Sequence, residues 1–219
     1  MNLVFVAKSK SPEEWKAVAS AISTLVDEAT FEAAAEGISF RGMDPSHIAL
    51  IDIHWPNHAF ERYECDSLVK FGIRVDEFSK LIRRADKKDA VEISIGDDSM
   101  LHLKMSNSYK REYKSRLIES SASSTPLPKL NFNSKAVFTA AAFDKVLSDV
   151  QVVSEYISVE SKSGSITFSG RGDSGEANIT IEAGNEGLEE LEAKEEARLH
   201  IALTICLKLL KQLSQWVAQ

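Results

Sequence analysis

The sequence predicts an α+β protein built from two similar units, the second short of its last strands. A repeat at a constant offset predicts the two units. Gly37-Ile-Ser-Phe-Arg-Gly-Met-Asp44 returns as Gly164-Ser-Ile-Thr-Phe-Ser-Gly-Arg-Gly-Asp173, and Phe168 follows Phe40 by 128 positions. The same offset places Trp15, Val18, Ala19 and Ile22 on Phe143, Val146, Leu147 and Val150. Each set is an i, i+3, i+4, i+7 apolar stripe, the mark of an amphipathic helix. The second observation is that short alternating segments separated by turn residues fill the space between these helices, which is the pattern of antiparallel strands.

The elements follow in order. Residues 3–7 read as a strand and 12–23 as a helix. Ser11 is placed to cap that helix, with Pro12 at its first position and Glu13 and Glu14 in its first turn. Strands follow near 28–33, 37–41 and 48–54, the first two joined by a hairpin at Ala35-Glu36-Gly37. A strand near 68–73 leads to a second helix over 76–85, and three strands run near 90–95, 100–105 and 110–118. Residues 119–133, rich in Ser and Pro, read as an exposed linker between a first domain, 1–118, and a second, 134–219. The second copy opens with a strand over 135–139 and a helix over 142–153. Strands follow near 156–161, 165–169 and 176–181. The acidic run 186–196 reads as a surface loop. A strand near 198–201 precedes a last helix over 203–217, which the offset matches to the second helix of copy one. Counterparts of the three later strands of copy one would begin near position 218, and the sequence in hand stops at Gln219.

Composition narrows the function. The chain has 219 residues, 43% apolar and 27% charged, as in a soluble globular protein. No apolar run approaches the roughly 20 residues that span a bilayer. The N-terminus lacks the basic and apolar regions of a signal peptide, so cytosol or nucleoplasm is expected. Cys65 and Cys206 are far apart and read as two buried free thiols. No Cys/His spacing suggests a metal site, and no cofactor motif stands up. Gly170-Arg-Gly172-Asp-Ser-Gly175 fits a dinucleotide fingerprint, but a strand-like segment follows it, so it reads as a hairpin loop. Arg171-Gly172-Asp173 and Asn178-Ile-Thr180 need an extracellular setting to act as adhesion or glycosylation signals. His47, His54 and His58 have no nucleophile arranged with them, so no catalytic triad is expected.

Several ordered segments resemble the sliding-clamp family of proliferating cell nuclear antigen type, in its archaeal branch. They are Phe40-Arg-Gly-Met-Asp-Pro-Ser-His-Ile-Ala-Leu50, Phe60-Glu-Arg-Tyr-Glu-Cys65, Phe78-Ser-Lys-Leu-Ile-Arg-Arg-Ala85 and Tyr109-Lys-Arg-Glu-Tyr113. The similarity runs from the N-terminus to about residue 203. The tail departs from it, since family members continue in strands closing with a Tyr-Tyr-Leu-Ala-Pro-like segment. The resemblance implies two DNA-clamp domains per subunit and a ring of three subunits, identical or different, around duplex DNA. Helices line the hole and sheets form the wall. Such a ring tethers DNA polymerase, clamp loader, flap nuclease and ligase, makes or breaks no bond itself, and needs no cofactor, metal or membrane. It works in the cytoplasm of an archaeon or the nucleus of a eukaryote. The alternative is a partner-binding or regulatory paralogue that does not close a ring.

Three surfaces are expected on this reading. Lys80, Arg83, Arg84 and Lys87 form one basic stripe on the second helix of an otherwise acidic chain of net charge −7. Cations aimed at phosphates bind without reading sequence, as sliding contact requires. Lys10, Lys16 and Lys145 supplement them. For ring closure, the basic strand carrying Lys110, Arg111, Tyr113 and Lys114 would pair head-to-tail with the strand carrying Glu176, Asn178 and Thr180. By resemblance, Met43, His47, Ile48 and Leu50 with Leu127 and Pro128 would line a partner pocket; the alternative for Met43, Ile48 and Leu50 is ordinary core.

Overall fold

A computed structural model describes residues 3–47, 49–119 and 131–203. The chain divides into two compact units, Met1–Pro126 and Leu127–Gln219.

In the first unit, β1 (Leu3–Ser9) leads to α1 (Glu13–Ile22), then β2 (Glu28–Ala34), β3 (Gly37–Met43), β4 (Leu50–Pro56), β5 (Arg62–Cys65) and β6 (Val69–Arg74). Helix α2 (Val75–Ile82) follows, then β7 (Ala90–Gly96), β8 (Met100–Ser106) and β9 (Lys110–Arg116). The strands form two antiparallel sheets, ordered β5-β1-β7-β8-β9 and β4-β3-β2-β6. The start of α1 is built as its residues dictate: the Glu13 N–H donates to Ser11 Oγ at 3.2 Å and the Lys16 N–H to Pro12 O at 2.9 Å. Gly37 closes the β2–β3 hairpin at φ +146°, where a Cβ would lie 2.2 Å from Trp55 O. Strand β5 is absent from the sequence-based expectation. With four residues and only Tyr63 and Cys65 turned inward, it is too short to show a period.

The helices meet the sheets through aromatic rings. Trp15 of α1 lies 4.4 Å from Trp55 of β4 and 6.2 Å from Phe78 of α2, centroid to centroid. Phe71 stacks on Phe31 at 5.4 Å and on Phe5 at 5.6 Å, tying both sheets into one core. The Tyr63 hydroxyl donates to Ala34 O at 2.6 Å, and burial pushes its pKa well above the ordinary phenol value. A raised folded-state pKa contributes stability below the unfolded value, about 10, that is lost as pH rises. In an alkaline absorbance titration, Tyr63 is therefore expected to ionise only together with unfolding. Tyr63→Phe is expected to remove that part of the alkaline loss. An absorbance curve that Tyr63→Phe leaves unchanged except for one phenol lost near the ordinary value would contradict this.

The second unit comprises β10 (Ser134–Phe138), α3 (Ala140–Gln151), β11 (Tyr156–Lys162), β12 (Ser165–Gly172), β13 (Gly175–Glu182), β14 (Leu188–Ala193) and β15 (Ala197–Ala202). Its sheets, β10-β14 and β13-β12-β11-β15, repeat the pairings β1-β5 and β4-β3-β2-β6. The register repeats as well: Phe31 faces Phe40 and Phe71, while Val159 faces Phe168 and Leu199, each at the 128-residue offset. The acidic run expected as a loop contains β14. Leu188 and Leu191 face the core while Glu189 and Glu192 face solvent; the two leucines are three apart because the β10–β14 ladder slips by one residue between Glu190 and Leu188, so neither strict alternation nor the run of acids reveals the strand. The hairpin reading of the glycine motif holds, with Gly172 paired to Gly175 across a two-residue turn.

The two cores differ in cover. Strand β1 pairs on both sides, with β5 and β7; among the described residues β10 pairs with β14. Phe71 is 4% exposed and its counterpart Leu199 is 55% exposed. Cys65 is a buried free thiol. Cys206 and all but Leu203 of the expected last helix lie outside the described residues.

Candidate functional site

Helix α2 positions the basic segment. Phe78 and Ile82 are buried, and the hydrogen-bonded helix stops at Ile82, with Arg83 as its C-cap. The Arg84 and Ala85 amides then close tighter turns on Leu81 O and Ile82 O, both at 3.0 Å. Lys87 thus lies in the turn after the helix, not on its continued face. Arg83, Arg84, Lys87 and Lys88 are exposed and none forms an ion pair among the described residues. They sit at the negative end of the helix dipole, which favours cations there whatever else they bind.

The other cations differ. Within the stripe, Lys80 Nζ bonds Asp76 Oδ2 at 2.9 Å one turn back. That contact holds Lys80 above and Asp76 below their ordinary pKa values. Asp76 is favoured in the first turn by the dipole, so it stands one turn from Lys80 for a local reason. Lys16 is likewise paired, to Glu13 at 3.2 Å. Lys10 and Lys145 are exposed, with no ion pair among the described residues.

The strands expected as subunit edges are the terminal strands of their sheets: β9 beyond β8, and β13 beyond β12. On β9, Lys110 and Lys114 are exposed, while Tyr113 packs against the core. On β13, Glu176, Asn178 and Thr180 are exposed and Ile179 and Ile181 pack inward. Thr180 Oγ1 lies 3.0 Å from Thr167 Oγ1.

Arg111 departs from expectation. Its guanidinium turns back into its own unit: Nη1 donates to Arg84 O at 2.6 Å, while Nη2 reaches Asp86 at 3.3 Å and bonds Asp89. Asp89 is 2% exposed. A buried carboxylate needs a countercharge, and the nearest one comes from a strand 22 residues away. Sequence reasoning missed Asp89 because Asp86-Lys-Lys-Asp89 is charged throughout, and nothing in its spacing marks one of the four as buried.

Met43 and Leu50 face each other across the β3–β4 ladder. Both are half-buried and neither belongs to the core cluster, against the ordinary-core alternative. The loop between them is shaped by Asp44, whose carboxylate accepts from the Ala49 and Ser46 amides at 2.6 and 3.0 Å. His47 is exposed at φ 58°. Ile48, Leu127 and Pro128 lie outside the described residues. No group of acids, histidines and cysteines among the described residues could hold a metal, and no helix there is long and apolar enough to cross a membrane.

Helices backed by antiparallel sheets, repeated twice in one chain, define the DNA-clamp fold. The chain superposes on the crystal structure of proliferating cell nuclear antigen from Thermococcus kodakaraensis with a TM-score of 0.88 at 24% identity, covering 95% of this chain and 85% of that one. The protein of the same name from Entamoeba histolytica gives 0.85 at 22% identity, with 96% and 85% covered. At sequence level, residues 4–122 match the family described as proliferating cell nuclear antigen, N-terminal domain. The DNA polymerase sliding clamp of Nitrosopumilus maritimus is 57% identical over 195 residues, 89% of this chain and 78% of the relative. That of Cenarchaeum symbiosum is 55% identical over the same shares. The chain belongs to the proliferating cell nuclear antigen family of DNA sliding clamps.

Proposed function

We propose that three copies of this chain close head-to-tail into a ring around duplex DNA and tether DNA polymerase to it. The observation that carries the reading is a pair of sheet edges left unpaired among the described residues, a cationic one on β9 and an acid-flanked one on β13. Unpaired edges of unlike charge favour a heterologous contact that closes on itself. Arg83, Arg84 and Lys87 would contact phosphates first, with Lys10 and Lys145 in support and the paired Lys16 and Lys80 contributing less. Met43, His47 and Leu50, which meet at the β3–β4 end, would receive partner segments of clamp loader, flap nuclease or ligase. The ring contributes topology and attachment, and the chemistry belongs to its partners.

Light scattering behind size exclusion, together with retention on nicked circular DNA before and after linearisation, tests this. A trimer that stays on the circle at moderate salt and runs off the linear form is expected. A monomer, or equal loss from both forms, would replace the reading with a partner-binding clamp relative that does not close a ring.

A further inference from the structure

The basic turn after α2 and the edge strand β9 serve two different tasks in the proposed ring, contact with DNA and pairing with the next subunit. One side chain joins them. We infer that Arg111 is a positioning residue that fixes the Arg83–Lys88 turn to strand β9, so that the DNA-facing cations and the subunit edge move as one unit.

The geometry is that of a three-point clamp. From β9 the Arg111 fork reaches Arg84 O at 2.6 Å, Asp86 Oδ2 at 3.3 Å and Asp89 Oδ2. The turn is also braced from within: the Asp86 N–H donates to Asp89 Oδ2 at 2.7 Å and the Asp89 N–H to Asp86 O at 2.9 Å. Asp89 Oδ2 therefore holds the turn's own amide and the guanidinium of the edge strand at once. Tyr109 lies over the guanidinium at 4.9 Å from its centroid, beside an arginine only 15% exposed. Every hydrogen bond and ion pair of the Arg111 guanidinium among the described residues falls on residues 84–89, and Arg83, Arg84, Lys87 and Lys88 project from or beside that segment with no ion pair of their own there. A planar fork can hold one carbonyl and two carboxylates in fixed directions, whereas an ammonium supplies only a point charge. Neutralising Asp89 would need only a cation; orienting the turn needs the fork.

Arg111→Lys separates these roles, because lysine keeps the charge beside Asp89 and removes the fork. Trimer mass and melting temperature are expected to stay close to wild type. Amide exchange at Asp86 and Asp89 is expected to rise about tenfold while other β9 and α2 amides stay put. Dissociation from circular DNA is expected to be several-fold faster. Asp86→Ala removes an exposed partner without threatening the fold, and a smaller rise in exchange confined to the same turn is expected. Unchanged exchange at Asp86 and Asp89 in both variants would overturn the inference. So would loss of the trimer with the turn still protected, which would make Arg111 a subunit-contact residue instead. The DNA half of the inference rests on the proposed function. Failure of the wild-type chain to stay on circular DNA would sink that function, whereas the exchange result judges the clamp by itself.

Discussion

Changing Arg83, Arg84 and Lys87 to glutamate together is expected to lower affinity for duplex DNA at moderate salt by on the order of a hundredfold or more. The three side chains are exposed and lack ion pairs among the described residues, so no internal bond is broken by the change. The slope of log affinity against log salt is expected to flatten by about 0.9 for each phosphate no longer neutralised, or close to three per subunit. Stability should fall by only about 1 kcal/mol, chiefly from placing acids at the negative end of the α2 dipole. Lys80→Glu serves as the comparison. Lys80 already satisfies Asp76, so its replacement should affect DNA binding less than that of any one of the three. Anisotropy titrations at several salt concentrations give both affinity and slope. An unchanged slope in the triple variant would remove this segment from the DNA-facing surface.

The second large effect is on stability, and it is asymmetric between the copies. Phe71→Ala is expected to cost about 3–5 kcal/mol, because the ring is 4% exposed and stacks on Phe5 and Phe31 across both sheets. Leu199→Ala, at the equivalent register position, is expected to cost less than about 1 kcal/mol, because that side chain is 55% exposed. Denaturant unfolding of the two variants reads the contrast directly. Equal costs would mean that Leu199 is covered in solution as Phe71 is. Binding of an apolar dye by the native protein, reduced in Leu199→Ser, would show the same exposed surface independently.

Much of the architecture is legible in the sequence because the repeat is written in residues that face the core. The stripes Trp15-Val18-Ala19-Ile22 and Phe143-Val146-Leu147-Val150 become α1 and α3 on the core sides of their units. The alternating segments become strands whose register repeats at the same offset. Two strands are hidden for opposite reasons. In β5 the chain is too short to show a period, and in β14 a run of glutamates masks the inward leucines. The helix period carries the basic stripe too far, because Lys87 sits in a turn that periodicity alone cannot stop.

Site residues divide by the range of their interactions. Exposure of Arg83, Arg84, Lys110 and Lys114 follows from local pattern, since charge in an amphipathic element goes to the solvent face. The pairing of Lys80 with Asp76 is also local, one helical turn apart, and could have been read from spacing. Arg111 could not, since its partners lie 22 to 27 residues earlier in sequence. Periodicity and ordered motifs were enough to establish the duplicated α+β fold, the family and the exposed cations, because each is encoded in residues close together along the chain. The folded chain was needed to show that β9 and β13 are the outer strands of their sheets, that Arg111 faces inward and that Leu199 lies open where Phe71 is closed. Each of these depends on what packs beside a residue from a distant part of the chain, and spacing carries no record of that.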